Sequence, residues 1–195
     1  MGETIRAVIC LCDLRGFTAL SESLSRDELI GILNLYFGAV CEAVESHKGE
    51  VLKFVGDGLL AIFPIQENDS VTACKQALCA AAAIEDKIAQ VNHERETAKS
   101  AVVDYGLALH IGDVMYGNIG GENRLDFTVI GPAVNLAARI EKLCSELHQR
   151  PLLSQSFIDA SDSPARCLGE FRFKGVSELQ SVFALDHSRQ RGGPK

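Results

Sequence analysis

Strand-like and helix-like apolar segments alternate along this chain in an order that few folds accommodate. A β-branched run at 5–12 is followed by an amphipathic helix, and two short strands at 50–55 and 59–63 come next. An Ala-rich helix near 69–95 and a strand at 102–111 complete the series. This β-α-β-β-α-β order predicts a ferredoxin-like α+β fold.

The rest of the chain is predicted to extend this core. Residues 114–119 read as a strand that is expected to pair with the one at 102–111, and a further helix begins at Pro132. Short strands and one short helix then make a C-terminal αβ extension. We predict a single domain over residues 1–187 and a disordered polar tail over 188–195.

The composition excludes several classes of protein. Of the 195 residues, 47% are hydrophobic and 23% are charged, and the formal net charge is −7. This balance is typical of a globular domain and argues against disorder or a coiled coil. The acidic surface argues against nucleic acid as a partner and against an anchor to anionic membranes.

Signals for export, membrane insertion and structural metal are absent from the sequence. No run approaches the roughly 18 consecutive apolar residues that a membrane span requires, and the N-terminus lacks the pattern of a signal peptide. The seven cysteines have neither zinc nor disulfide spacing. We predict no membrane segment in this chain, a cytoplasmic location, and cysteines that act as small buried hydrophobic residues.

Two aspartates are predicted to meet at one edge of the sheet. Asp13 ends the first strand, and Asp57 lies in the turn between the second and third strands. In this topology both points fall at the same edge, where two carboxylates suit hard divalent cations such as Mg²⁺ or Mn²⁺. A structural explanation stays open for each residue alone, because aspartate is common in turns and caps.

The loop after the first strand is a second candidate contact. The backbone N–H groups of Gly16, Phe17 and Thr18 could bind phosphate oxygens, as successive N–H groups do in nests and at helix starts. An ordinary strand-to-helix turn explains the same residues, so this loop alone does not decide the function.

Four longer segments occur in a fixed order and carry a more specific signal. They are CDLRGFT (12–18), GEVLKFVGDGLLAIF (49–63), GLALHIGDVMYGNIG (106–120) and RLDFTVIGPAVNLAARIE (124–141). Together they resemble the catalytic domain of the class III nucleotidyl cyclases, the adenylate and guanylate cyclase family. The resemblance covers about residues 5–187 and implies that Asp13 and Asp57 are metal ligands.

The resemblance also implies roles for two pairs of side chains. Lys53 and Thr128 match the base-recognition pair of adenylate cyclases, where guanylate cyclases usually have Glu and Cys. A lysine only donates hydrogen bonds and therefore suits the ring nitrogens of adenine, while a threonine hydroxyl can accept from the adenine amino group. Asn135 and Arg139 match the pair that stabilises the transition state, and residues four apart lie on one helical face.

Two further residues complete the assignment, and the histidines lie outside it. Lys174 resembles the lysine that contacts the terminal phosphates, and Arg124 is a second candidate for that contact. The five histidines form no cluster in the sequence, and His110, within a predicted strand, is interpreted as structural.

The implied reaction is the conversion of ATP to 3′,5′-cyclic AMP and pyrophosphate with two divalent cations, Mg²⁺ or Mn²⁺. In this family two chains share each site, so a single chain that carries both residue sets implies a head-to-tail homodimer. Two alternatives stay open. The chain could be a guanylate cyclase, or a catalytically silent cyclase-like domain that binds nucleotide or dimerises as a sensor.

Overall fold

The computed structural model describes residues 2–121 and 124–186, without the side chains of residues 119–126. In chain order the elements are β1 (Gly2–Leu14), α1 (Phe17–Ser23), α2 (Arg26–Ser46), β2 (Glu50–Val55), β3 (Gly58–Pro64), α3 (Ser70–Thr97), β4 (Tyr105–Gly121), β5 (Arg124–Ile130), α4 (Pro132–Leu147), β6 (Leu152–Ser154), α5 (Gln155–Ala160), β7 (Ala165–Phe171) and β8 (Gln180–Leu185). The tail predicted at 188–195 lies outside the described residues.

The described strands form one sheet in the order β2-β3-β1-β4-β6-β8-β7, and β5 pairs with β4 outside this path. β1 is antiparallel to β3 on one side and to β4 on the other. This part is the predicted ferredoxin-like core, and β6, α5, β7 and β8 form the predicted extension. The α+β fold predicted from the sequence is therefore confirmed.

Two local predictions are wrong. Residues 114–119 do not turn back on the preceding strand but continue it, because β4 is 17 residues long and its hairpin partner is β5. Gly112 is small for a packing reason, since a Cβ there would lie 2.6 Å from the side chain of Ala133 in α4. The chain after β1 also forms a short helix, α1, where only a turn was predicted.

The sheet carries an apolar layer on each face. α2 and α3 pack on one face, where Tyr36 and Ile84 are fully buried against β1 and β3. α4 packs on the other face, where Ala133 and Ala137 contact Ile9 and its neighbours. These layers fix the ends of β1 and β4 relative to α4, which carries much of the candidate site.

The cysteines follow their prediction in part. Four of the seven are buried in the sheet or its helices, and they are Cys10, Cys12, Cys74 and Cys144. Cys79 and Cys167 are exposed, so their small apolar side chains do not serve the core.

Helix α2 begins at the capping box that the sequence contains. The Ser25 N–H donates to Glu28 Oε2 at 3.0 Å, and the Glu28 N–H donates back to Ser25 Oγ. By length and composition alone α2 is apolar enough to cross a membrane, a test that the core helix of a soluble protein also passes. Six of its residues are buried in this fold. The absence of a membrane segment stays a prediction.

Candidate active site

The end of β1 and the β2–β3 turn form one rim of the sheet. Asp13 pairs with Gly58 across β1 and β3, and the Leu14 N–H donates to the carbonyl oxygen of Asp57 at 3.2 Å. Gly56 has a φ of 64°, which lets the chain turn tightly at this point. The structure thus brings together the two predicted aspartates, and we call Asp13 and Asp57 the carboxylate rim.

The rim has the electrostatics of a cation site. Burial and then the charge of Asp57 raise the pKa of Asp13, and the opposing effects of Arg15 and Lys142 are smaller. A bound cation offsets the repulsion that disfavours the ionised form of Asp13, and oxygen ligands are those that Mg²⁺ prefers. Within the described part of the chain there is no group of three or more side chains that could hold a metal ion. A cation here would therefore take its other ligands from phosphate and water, as Mg²⁺ usually does.

A third carboxylate beside the rim was not found by the sequence analysis. Glu141 on α4 is only 6% exposed, and its Oε1 lies 3.5 Å from Nη2 of Arg15. Burial and then the charge of Asp13 raise the pKa of Glu141 to about 7, while Arg15 lowers it. A glutamate on the apolar side of an amphipathic helix was the signal that could have revealed it.

The rim opens into a cavity of about 200 Å³. Asp13 and Val55 line it from the sheet, and Ala138, Glu141 and Lys142 line it from α4. Neither Asn135 nor Arg139 is among its lining residues. Asp13 thus lines this cavity, whereas Asp57 does not.

The predicted base-recognition residues lie on two elements that approach each other. Lys53 is half-buried on β2, just after a register shift in the β2–β3 pairing. Thr128 pairs with Gly117 where β5 and β4 form a ribbon. The Tyr116 hydroxyl of this ribbon donates to the Glu50 carboxylate of β2 at 2.9 Å, which ties the ribbon to the strand of Lys53.

Thr128 has an unusual environment for a threonine. Thr128 is 3% exposed, and its Oγ1 is buried without a hydrogen-bond partner among the described residues. A buried hydroxyl with no partner costs about 1–3 kcal/mol, so such groups are rare unless a ligand completes them.

The transition-state pair lies near the start of α4. The helix begins after Gly131, whose φ of 150° favours glycine, and Pro132 takes its first turn. Asn135 is exposed, and Arg139 is half-buried with Nη2 3.7 Å from where a Cβ on Gly175 would lie.

The turn at Gly175, beside Arg139, includes a further predicted residue. Gly175 has a φ of 78°, and the buried Phe173 anchors the turn to the apolar layer under α4. Lys174, between them, is exposed. The residue that follows Lys174 therefore lies against Arg139, and a phosphate contact by Lys174 stays a prediction.

These side chains share one property. Among the described residues, no hydrogen bond or ion pair engages the polar end of any of them. We call the set the donor face, and it consists of Lys53, Thr128, Asn135, Arg139 and Lys174.

The remaining predicted contacts are placed less fully. Gly16 has a φ of 66° and precedes α1, which begins at Phe17 and includes Thr18 close to the carboxylate rim. A phosphate contact by their N–H groups stays a prediction. Arg124 begins β5 opposite Gly121, and its side chain lies outside what the structure describes.

His110 supports the fold, in agreement with the sequence interpretation. It is 7% exposed on β4, and its Nδ1 lies 2.8 Å from Oγ of Ser154 and 3.1 Å from Oγ of Ser156. Burial and then the charge of Arg6 lower the pKa of His110 to about 4, so the ring is neutral at physiological pH.

The ferredoxin-like core and the two aspartates at one edge of its sheet resemble the catalytic domain of the nucleotidyl cyclases. The sequence profile described as "Adenylate and Guanylate cyclase catalytic domain" matches residues 3–181. This chain therefore belongs to the adenylate and guanylate cyclase family.

The relatives found by sequence include proteins named as adenylate cyclases. The adenylate cyclase of Anabaena cylindrica is 35% identical in an alignment 192 positions long, which covers 94% of this chain and 37% of that protein. The terminal-differentiation-specific adenylate cyclase of Dictyostelium discoideum is 29% identical over 93% of this chain and 9% of its own length. The chain thus spans well under half of these relatives.

Solved structures of the family have the same fold. The guanylyl cyclase Cya2 is 27% identical, with a TM-score of 0.80 over 94% of this chain and 93% of its own. The adenylyl cyclase CyaB from P. aeruginosa is 25% identical, with a TM-score of 0.78 over 99% of this chain and all of its own.

Proposed function

We propose that this chain converts ATP to 3′,5′-cyclic AMP and pyrophosphate. The observation that carries the choice of adenine is the pairing of Lys53 with the buried, unpartnered hydroxyl of Thr128 on adjoining elements. The lysine ammonium would donate to a ring nitrogen of adenine, and Thr128 Oγ1 would accept from the exocyclic amino group. Guanine offers a protonated N1 at the lysine's position, which an ammonium cannot satisfy.

The chemistry requires attack of the ribose 3′-oxygen on the α-phosphorus. A bond forms between these two atoms, the bond from the α-phosphorus to the bridging oxygen of pyrophosphate breaks, and the 3′-hydroxyl proton passes to solvent. Divalent cations, Mg²⁺ or Mn²⁺, supply positive charge at the attacking and leaving oxygens when bound. Asp13 and Asp57 would hold them. The charge of Asp57 raises the pKa of Asp13, and a bound cation would offset that repulsion.

The donor face would bind and orient the rest of the nucleotide. Asn135 would hold the ribose by a hydrogen bond, and the guanidinium of Arg139 would bind the α-phosphate oxygens as charge develops on them. Lys174 and Arg124 would bind the terminal phosphates. None of these described polar ends is occupied by a partner within the chain, so they are free to take up a ligand's oxygens.

The site is proposed to form between two chains in a head-to-tail homodimer. The cavity that Asp13 lines is not lined by Asn135 or Arg139 of the same chain, which fits a second copy supplying them. Each dimer would then hold two equivalent sites, and activity would depend on protein concentration. We propose a cytoplasmic location for this unit.

Complementation tests the shared site. Asp57→Ala and Asn135→Ala proteins are each expected to lose nearly all activity, and an equimolar mixture should recover about a quarter of the wild-type rate through one intact site in half of the dimers. Co-purification of differently tagged chains establishes that heterodimers form. Heterodimers without recovered activity would contradict the shared site.

A guanylate cyclase is the second candidate, and it is favoured by the likeness to Cya2. One assay with ATP and GTP, each with Mg²⁺ or Mn²⁺, distinguishes the two by the cyclic product. The double variant Lys53→Glu with Thr128→Cys should move the preference toward GTP by at least tenfold. An unchanged preference would refute the base-recognition assignment, and no product under any condition would support a silent domain.

A further inference from the structure

Arg15 joins the carboxylate rim to α4 by contacts from both its backbone and its side chain. It follows Asp13 by two residues, and its N–H donates to the carbonyl oxygen of Asp104 at 2.8 Å. Its guanidinium lies 3.5 Å from Glu141 and also donates to the Ser145 hydroxyl. The Arg15 side chain is 16% exposed and that of Glu141 is 8% exposed.

A glycine on β4 makes room for this contact. A Cβ on Gly106 would overlap Oε1 of Glu141 and would lie 2.6 Å from Nη2 of Arg15. Gly106 pairs directly with Asp13 across β1 and β4. The ion pair therefore lies against the backbone next to a predicted metal ligand, and only glycine leaves it space.

The energetics argue that the pair serves something other than stability. Removing two charges from water costs several kcal/mol per ion, and buried ion pairs often add little stability over apolar residues. The charge of Asp13 also raises the pKa of Glu141 and so opposes the ionisation of Glu141. An arrangement that costs stability beside a metal-binding edge is typical of groups that orient a ligand rather than of core packing.

We propose that Arg15 and Glu141, seated on Gly106, are positioning residues that hold Asp13 in the orientation needed to bind the divalent cation. This inference rests on the proposed function, because it concerns the cation that Asp13 and Asp57 would hold. Arg15 and Glu141 act by fixing the backbone at the rim and the distance between β1 and α4.

The test measures metal binding without turnover. Free Mn²⁺ is followed by electron paramagnetic resonance while it is titrated into protein saturated with 3′-deoxy-ATP or, separately, 3′-deoxy-GTP, which lack the attacking hydroxyl. Glu141→Gln keeps the shape but removes the charge, and Gly106→Ala displaces the pair without changing any charge. Each is expected to weaken Mn²⁺ binding about tenfold, within the range found for residues that orient metal ligands.

Matched controls separate positioning from general damage. Glu146→Gln lies exposed on the same helix, and Gly38→Ala lies on α2 with no atom near the added Cβ. Both should bind Mn²⁺ as the wild type does. Ser145→Ala removes only one contact of the guanidinium and is expected to weaken binding two- to threefold, which keeps the test open if a stronger variant fails to fold.

The direction in which Arg15→Gln changes Mn²⁺ affinity distinguishes a positioning role from a purely electrostatic one. If Arg15 acted only as a positive charge near the cation, its loss would tighten Mn²⁺ binding. Our proposal requires weaker binding, with Arg15→Lys recovering it in part because lysine lacks the planar fork. Tighter binding in Arg15→Gln, or wild-type affinity in both folded Glu141→Gln and Gly106→Ala, would overturn the proposal.

The same titration distinguishes this inference from the proposed function. If the wild type binds Mn²⁺ with 3′-deoxy-GTP but not with 3′-deoxy-ATP, the choice of adenine is refuted. The positioning effect can then still be measured with 3′-deoxy-GTP. Wild-type binding with neither nucleotide would overturn the metal assignment and the positioning proposal together.

Discussion

The carboxylate rim and the donor face are built in opposite ways. Beside the rim, Arg15 binds Glu141, and the backbone of β1 pairs with β3 and β4 around Asp13, although the carboxylates of Asp13 and Asp57 themselves make no hydrogen bond or ion pair among the described residues. On the donor face, the described polar ends have no partner within the chain, and one of them is buried. The carboxylate rim carries excess negative charge and adjoins an ion pair formed within the chain. The donor face presents polar groups that have no described partner. The difference indicates which residues need neighbours for orientation and which need a ligand.

The largest expected effect tests the rim. Asp13→Asn should lower cyclase activity at least 10³-fold, about 4 kcal/mol of transition-state stabilisation, because the amide is a poor ligand for Mg²⁺. The same change should raise the melting temperature slightly, since it removes a half-buried charge whose pKa is raised by burial and by Asp57. Activity assays and thermal melts of the purified variant measure both. Loss of stability together with activity would mean that Asp13 is a structural residue.

A somewhat smaller effect is expected on the donor face. Arg139→Ala should lower activity about 100-fold, close to 3 kcal/mol, by removing a charged donor to the developing phosphate charge. Because no described partner is left unpaired, the free energy of unfolding should change by less than about 1 kcal/mol. Urea melts with activity assays measure the two quantities. A large loss of stability would show that Arg139 is engaged within the chain, like Arg15 beside the rim.

Acidification should act on the two regions together. His110 lies on β4 between Gly106 at the rim and Gly117 in the ribbon, and burial lowers the pKa of His110 to about 4. An unfolded histidine binds a proton near pH 6.5, so the unfolded state is favoured progressively as the pH falls from 6.5 to 4. His110 alone should lower the free energy of unfolding by up to about 3 kcal/mol over this interval, whereas Glu141, whose pKa is raised to about 7, contributes in the opposite direction.

The variant His110→Asn isolates this contribution. It should have a flatter dependence of unfolding free energy on pH than the wild type, measured by urea melts between pH 4 and pH 7. Parallel profiles for the two proteins would show that other groups cause the acid sensitivity.

The smallest expected effect concerns the unpartnered hydroxyl. Thr128→Val should raise the free energy of unfolding by about 1 kcal/mol, because it removes a buried polar group that has no described partner. Thr97→Val is the matched control, since the Thr97 hydroxyl donates to the His93 carbonyl oxygen at 2.9 Å and its loss should not stabilise the protein. Discrimination between ATP and GTP should fall in Thr128→Val at the same time. A variant less stable than the wild type would argue that Thr128 is satisfied by the fold.

The sequence predicted that the two aspartates meet because its signals there are local or follow from strand order. Asp13 and Asp57 follow from the crossing direction of β1 and β2, and the capping box of α2 follows from two residues. What escaped prediction depends on packing between distant segments. Glu141 and Arg15 are separated by 126 positions in the chain, and neither residue's neighbours in sequence indicate that they meet.

The misread strand has a similar cause. Gly112 and its neighbours are as compatible with a turn as with a continuous strand, and the choice is made by the close approach of Ala133 from α4. That contact joins elements about 20 residues apart and has no local signature.

The length of β4 has a consequence for how the protein responds to a bound nucleotide. Its 17 residues span about 55 Å and pass without interruption from the middle of the sheet, between β1 and β6, to the ribbon with β5. Amide protons at 107–111 should exchange with solvent only on global unfolding, while those at 118–121 should exchange through local opening. Because one strand carries both, a base seated at Thr128 should slow exchange at the ribbon end first and extend that protection inward along a single backbone.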